Sequence, residues 1–261
     1  MSEGQPKGTE REVSASTRVT IGGAPISYVA LFAAALGIAA LIPFTVMTTG
    51  KAISMDQMLI PLTGIVLGPI GGFVAGLVGG AIALAIAPYA ASNGILTPLT
   101  PAFAAMAIGF LMQRNNRKWW GVLVPIVALI IFNYKGIFIN KVDPPIWLFL
   151  SVIVAWITLL LAVTPFTKVV SNWLRSPNLG LVTVGLAFAT FMGTSIAMII
   201  MNGFGIWLHE VPNDLWKIFP PIVTGERLII TLVGTILGIA IIAGLRRLRL
   251  VRPTEGAWYP D

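Results

Sequence analysis

The chain has 261 residues, of which 56% are hydrophobic and only 10% charged, against about 45–50% and about 25% in ordinary soluble domains. With a mean hydropathy of +0.88, so few charges cannot cover a soluble surface, and a soluble enzyme, a disordered chain and a disulfide-stapled secreted domain are excluded. The absence of cysteine removes thiolate metal sites, redox relays and cysteine nucleophiles. A single histidine speaks against a multi-histidine metal or haem centre, so no cofactor is expected. The net charge of +7 reads as membrane topology rather than as a nucleic-acid surface, because basic residues gather on the cytoplasmic side of membrane proteins.

In chain order, residues 1–23 form a polar cytoplasmic tail carrying Glu3, Lys7, Glu10, Arg11, Glu12 and Arg18. A helix needs about 20 apolar residues to cross the bilayer, and the first such stretch is 24–47. Residues 59–87 make an apolar run broken by GPIGG at Gly68 to Gly72. Pro69 clashes with a continuing helix, and its flanking glycines favour a turn, so two spans are expected, about 52–67 and 70–87. A shorter span covers 101–112, read back to Pro98. Further spans follow at 119–138, 147–168, 180–202 and 224–245, and a basic cytoplasmic tail occupies 246–261.

Charge supports the split at Pro69. With it, 12 of the 17 basic residues lie inside and 5 outside; a single long span there would leave 7 inside and 10 outside. The positive-inside rule selects the split. The expected fold is therefore all-α: a polytopic helical bundle over 24–245, with about eight transmembrane segments and both termini cytoplasmic.

Gly68, Gly72, Gly76 and Gly80 recur at steps of four and clear one helix face for close packing in lipid. The outer loops hold most of the unusual chemistry: Lys51 and Asp56 in the first, and Trp207, His209, Glu210 and Trp216 in the stretch from Asn202 to Gly225. Glu226 and Arg227 begin the last span. Ionisable groups at membrane depth are costly and often functional, although Glu226 also suits a helix N-terminus and Trp207 and Trp216 suit the interfacial belt. His209-Glu210 is no zinc-protease motif, because the second histidine position is Asn213. No nucleophile set or P-loop is present, so an enzyme is not expected.

Taken together, the alanine-rich first helix with Ala30 and Ala34, the outer loop leading to Asp56, the stretch LIPLTGIVLGPIGGFVAGLVGG and the ending ERLIITLVGTILGIAIIAGL resemble the substrate-binding membrane subunit (S-component) of energy-coupling factor (ECF) transporters. The likeness covers roughly 24–112 and 180–250. It implies a helical membrane protein that captures a vitamin-like small molecule from outside, in partnership with a transmembrane coupling subunit and two ATPase subunits. The family's small-residue motif on the first helix docks the coupling subunit, a role that would fall to Ala30 and Ala34, with Ala35 and Ala39 beside them. Its outer loops close over the ligand, and here the first would contribute Lys51 and Asp56. Family members usually have six helices, and the surplus here is a hairpin at roughly 119–168. Those that take metal ions use an N-terminal histidine-containing segment, which this sequence lacks, so a metal substrate is not expected.

The expected substrate site lies in the outer half. Lys51, Asp56, Asn202, Glu226 and Arg227 would orient the ligand between walls from Trp207 and Trp216, the usual layout of a small-molecule site. Membrane lipid surrounds the bundle, and nucleic acid is no partner. The alternative is a structural subunit of a larger membrane complex, with flat glycine-lined contact faces and no enclosed polar cavity.

Overall fold

The computed structural model describes residues 19–46, 52–91, 93–114, 117–247 and 253–260. Two short antiparallel hairpins, β1 (Thr20–Ile21) with β2 (Ala24–Pro25) and β3 (Pro43–Val46) with β4 (Ala52–Ser54), flank the first helix, α1 (Ile26–Ala39). The rest is helical: α2 (Asp56–Ile86), α3 (Leu99–Leu111), α4 (Lys118–Tyr134) with a π-helical extension Lys135–Ile139, α5 (Ile146–Ser151), α6 (Ile153–Val163), α7 (Phe166–Leu174), α8 (Leu179–Leu208) and α9 (Phe219–Arg247). Among the described residues, five helices are long and apolar enough to cross a membrane, or six if the bent pair α6–α7 forms one span.

The reversal expected beside Pro69 is present inside α2. Gly68 adopts φ 77° and ψ −179°, a conformation open only to glycine. A Cβ on Gly72 would lie 3.0 Å from the Cα of Gly64, two residues that a straight helix would hold about 12 Å apart. The helix therefore folds back on itself as two arms, 56–67 and 69–86, of about 18 and 27 Å. The second arm runs antiparallel to α3, with Gly72 against Ala105, Gly76 against Pro101 and Gly80 against Pro98. It runs parallel to α1, with Gly71 against Ala24 and Gly79 against Ala33 and Leu36. The glycine stripe thus serves internal packing, except at Gly68, which makes the turn.

Such a turn strands backbone acceptors. Pro69 has no N–H to offer Ile65, and the end of the first arm leaves its last carbonyls without helical partners. Residues 253–260 supply the missing donors. The Ala257 N–H donates to the Ile65 carbonyl at 2.8 Å, and the Trp258 indole N–H donates to the Val66 carbonyl at 3.3 Å. Trp258 is 1% exposed. Arg246 holds the segment in place by donating to the carbonyls of Trp258, Leu174 and Ser176. On sequence grounds 246–261 is only a basic tail, and nothing in it announces this cap.

The stretch expected as one span over 147–168 is broken twice. Val152 separates α5 from α6, and α6 and α7 meet at 86° where Pro165 disfavours a helical residue before it. The central post is α8, whose most apolar stretch is 78% buried. Asn178 caps it, its side chain accepting from the Gly180 N–H at 2.8 Å. Helices α4 and α9 lie at the periphery, their most apolar stretches 33% and 28% buried.

Candidate functional site

The first arm of α2 starts where β4 ends, which sets Ser54, Asp56 and Gln57 at one end of the bundle. The Ser54 hydroxyl donates to Asp56 Oδ1 at 2.5 Å. These three residues line a small cavity with Gly80 and Ala83 of the second arm, Ala90, Thr97, Thr100 and Pro101 around the start of α3, and Met201 of α8. Its volume of about 30 Å³ holds a single water. Gln57 Oε1 and Thr100 Oγ1 are buried there without a hydrogen-bond partner. Asn93, 2% exposed, ties the neighbouring loop to α8 by donating from Nδ2 to the Met201 carbonyl at 2.9 Å. The Tyr89 hydroxyl ties it to the end of α1, donating to the carbonyls of Leu41 at 2.7 Å and Ala40 at 3.3 Å.

Of the residues expected to bind substrate, Asp56 alone lines this cavity among the described residues. Arg227 lies two turns inside α9 rather than at its start, because the helix begins at Phe219. It is 1% exposed, donates to the Thr194 carbonyl at 3.3 Å and sits 4.0 Å from Glu226, while its Nε is buried without a partner. The loop expected over Asn202 to Gly225 is shorter than expected, since α8 continues to Leu208. Asn202 and Trp207 are therefore helical. Trp207 is exposed, with Lys135 Nζ 4.9 Å above its ring, a cation–π contact. Trp216 is buried edge-to-face between Phe132 and Phe219. Lys51 lies outside the described residues. Sequence reasoning missed Gln57 and Thr100, whose only signal is a polar residue beside a helix start.

The four alanines of the expected docking face divide by helix geometry. Val29, Phe32, Ala33, Leu36 and Gly37 are buried. Ala30 and Ala34 point outward and are exposed, with Ala35 and Ala39 half-buried beside them. Ile26, Leu31 and Ile38 are exposed on the same helix.

A second, larger cavity of about 760 Å³ runs along α3, α4 and α8 and is almost wholly apolar.

Comparison with curated proteins and with solved structures finds no match. One family model, described as ECF-type riboflavin transporter, S component, matches residues 24–184. The match runs straight through 119–168, the hairpin counted above as surplus, and ends before α9. It spans more than half of the chain, and its subject is a multi-pass membrane protein that serves a transporter by binding substrate rather than by catalysis. On the strength of that match and of these apolar helices, the chain belongs to the ECF-type riboflavin transporter S-component family.

Proposed function

We propose that this chain captures a vitamin-like small molecule, of the flavin class in its family's name, at the outer face of the membrane. It then presents the molecule to a transmembrane coupling subunit and two ATPase subunits. The observation that carries this reading is the cavity headed by Asp56, where Gln57 and Thr100 bury oxygens without partners. A buried polar atom left unpaired costs about 1–3 kcal/mol. A flavin ring system, with its ring N–H and carbonyl groups, would relieve that cost. Arg227 and Glu226 form a second polar group two turns inside α9, where a bound ligand's oxygens would find the unpaired Nε. Trp207 and Trp216, with Asn202, frame the same end of the bundle. A cavity with room for one water must widen to admit such a ligand, and the Tyr89 bonds to Ala40 and Leu41 are the ties that must yield.

Eight segments enter the bilayer in this reading, counting the two arms of α2 separately and α5–α6 as one, and both termini are cytoplasmic. The 12 basic residues that this topology would put on one side favour it, as does the Thr254 N–H donating to the Gly23 carbonyl, which sets residues 253–260 beside the first hairpin. The coupling subunit docks on the outward face of α1, where Ala30 and Ala34 let a helix approach closely.

The test is flavin fluorescence titration of the purified full chain. Saturable quenching is expected, with Gln57→Leu weakening binding at least about tenfold, the loss of one or two buried hydrogen bonds. No binding across a panel of vitamins, with no ATPase subunits co-purifying, would remove the proposal.

A further inference from the structure

Before any vitamin-like ligand enters, the small cavity at the start of α2 has a chemistry of its own. Its polar lining is rich in oxygen: the Ser54, Thr97 and Thr100 hydroxyls, the Asp56 carboxylate and the Gln57 amide oxygen. The Ser54 proton is spent on Asp56 Oδ1 at 2.5 Å, and Thr97 Oγ1 accepts from the Asn93 N–H at 3.2 Å. Gln57 Oε1 and Thr100 Oγ1 are left buried without partners, on residues 7% and 3% exposed. No basic side chain lines the cavity, and among the described residues none pairs with Asp56. A water would donate to the two free oxygens but bring no charge to Asp56. A carboxylate in a mostly apolar wall is costly without a counter-charge, and a cation meets both needs with one occupant.

Size and charge narrow the choice of cation. A space of about 30 Å³ has room for one particle the size of a water, so the ion must enter bare and take the wall oxygens as its shell. Magnesium gives up its waters reluctantly, and calcium takes about six to eight oxygens, carboxylates among them. Asp56 is the one acid lining the cavity, and among the described residues no group of three or more acidic or imidazole side chains could hold a metal ion. The N-termini of α2 and α3 already offset part of the Asp56 charge, which a divalent ion would overshoot. Of the common monovalent cations, sodium is the smaller and the better match to so small a space.

We propose that this cavity is a binding site for one sodium ion, held by the Asp56 carboxylate, Gln57 Oε1 and Thr100 Oγ1, with Ser54 fixing the carboxylate. The ion ties the start of α2 to the start of α3. Ion and flavin draw on the same oxygens and therefore alternate, a statement that rests on the flavin reading above; the ion site itself does not.

Thermal unfolding of the purified full chain tests this, without flavin, in sodium, potassium or choline chloride at one ionic strength. At about ten times its Kd, sodium should raise the melting temperature by roughly 3–6 °C over choline, saturably, with potassium giving less. Asp56→Asn should remove the shift, and Thr100→Val should weaken sodium about tenfold. If Asp56→Asn fails to fold, Thr100→Val and the sodium NMR linewidth of the wild type serve in its place. Equal melting temperatures in all three salts would mean that water fills the cavity and would overturn the proposal. So would equal stabilisation by potassium, or a sodium shift that survives Asp56→Asn. Flavin titration in potassium buffer reads the other occupant separately, so either reading can fail alone.

Discussion

Gly76 faces the Pro101 backbone so closely that an added Cβ would lie 2.6 Å from it. Neither backbone can retreat, because each belongs to a helix held along its whole length by the same stripe. Gly76→Ala should therefore destabilise the protein by about 1–3 kcal/mol, read as a lowered melting temperature in detergent. Gly225, where a Cβ would meet open space, is the matched control, and Gly225→Ala should leave the melting temperature near that of the wild type. The stripe was legible because steps of four clear one helix face for a close neighbour, though not whether that neighbour is this chain or another subunit. Gln57 and Thr100 were not, because one polar residue in an apolar run has no spacing to betray it. Arg227 was legible as a costly charge, but its depth was not, since α9 begins at Phe219, several residues before the span that hydropathy marks.

At the scale of elements, the hairpin within α2 and the segment that caps it differ in how they could be foreseen. A proline between glycines marks the turn, and the distribution of distant basic residues selects it over a straight helix. The cap at 253–260 carries no periodicity, and its worth lies in the carbonyls of Ile65 and Val66. Trp258→Phe keeps the buried ring but removes the indole N–H, so the Val66 acceptor loses its donor. A loss of about 1–3 kcal/mol in stability is expected, again visible in thermal unfolding. Trp258→Ala should cost more, because it also empties a fully buried site. The break at α6–α7 was missed for the opposite reason. Hydropathy runs on through Thr164 and Pro165, and only the local backbone preference of the residue before proline interrupts it.

For the whole molecule, class and membrane location followed from composition, whereas the arrangement of the later helices around α8 did not. Their contacts join residues far apart in the chain, which no local pattern records. The absence of cysteine makes the orientation directly testable. In Asp214→Cys, at a site 96% exposed, a membrane-impermeant maleimide should label intact cells. In Arg247→Cys it should label only permeabilised ones, and the reverse pattern would invert the proposed topology. The bond between Trp258 and Val66 spans 192 residues. At a translation rate of about 5–20 residues per second, roughly 10–40 s separate the synthesis of the acceptor from that of the donor. Through that interval the Ile65 and Val66 carbonyls lack these two donors, so the cap over the Gly68 turn can form only after α3 to α9 have been synthesised.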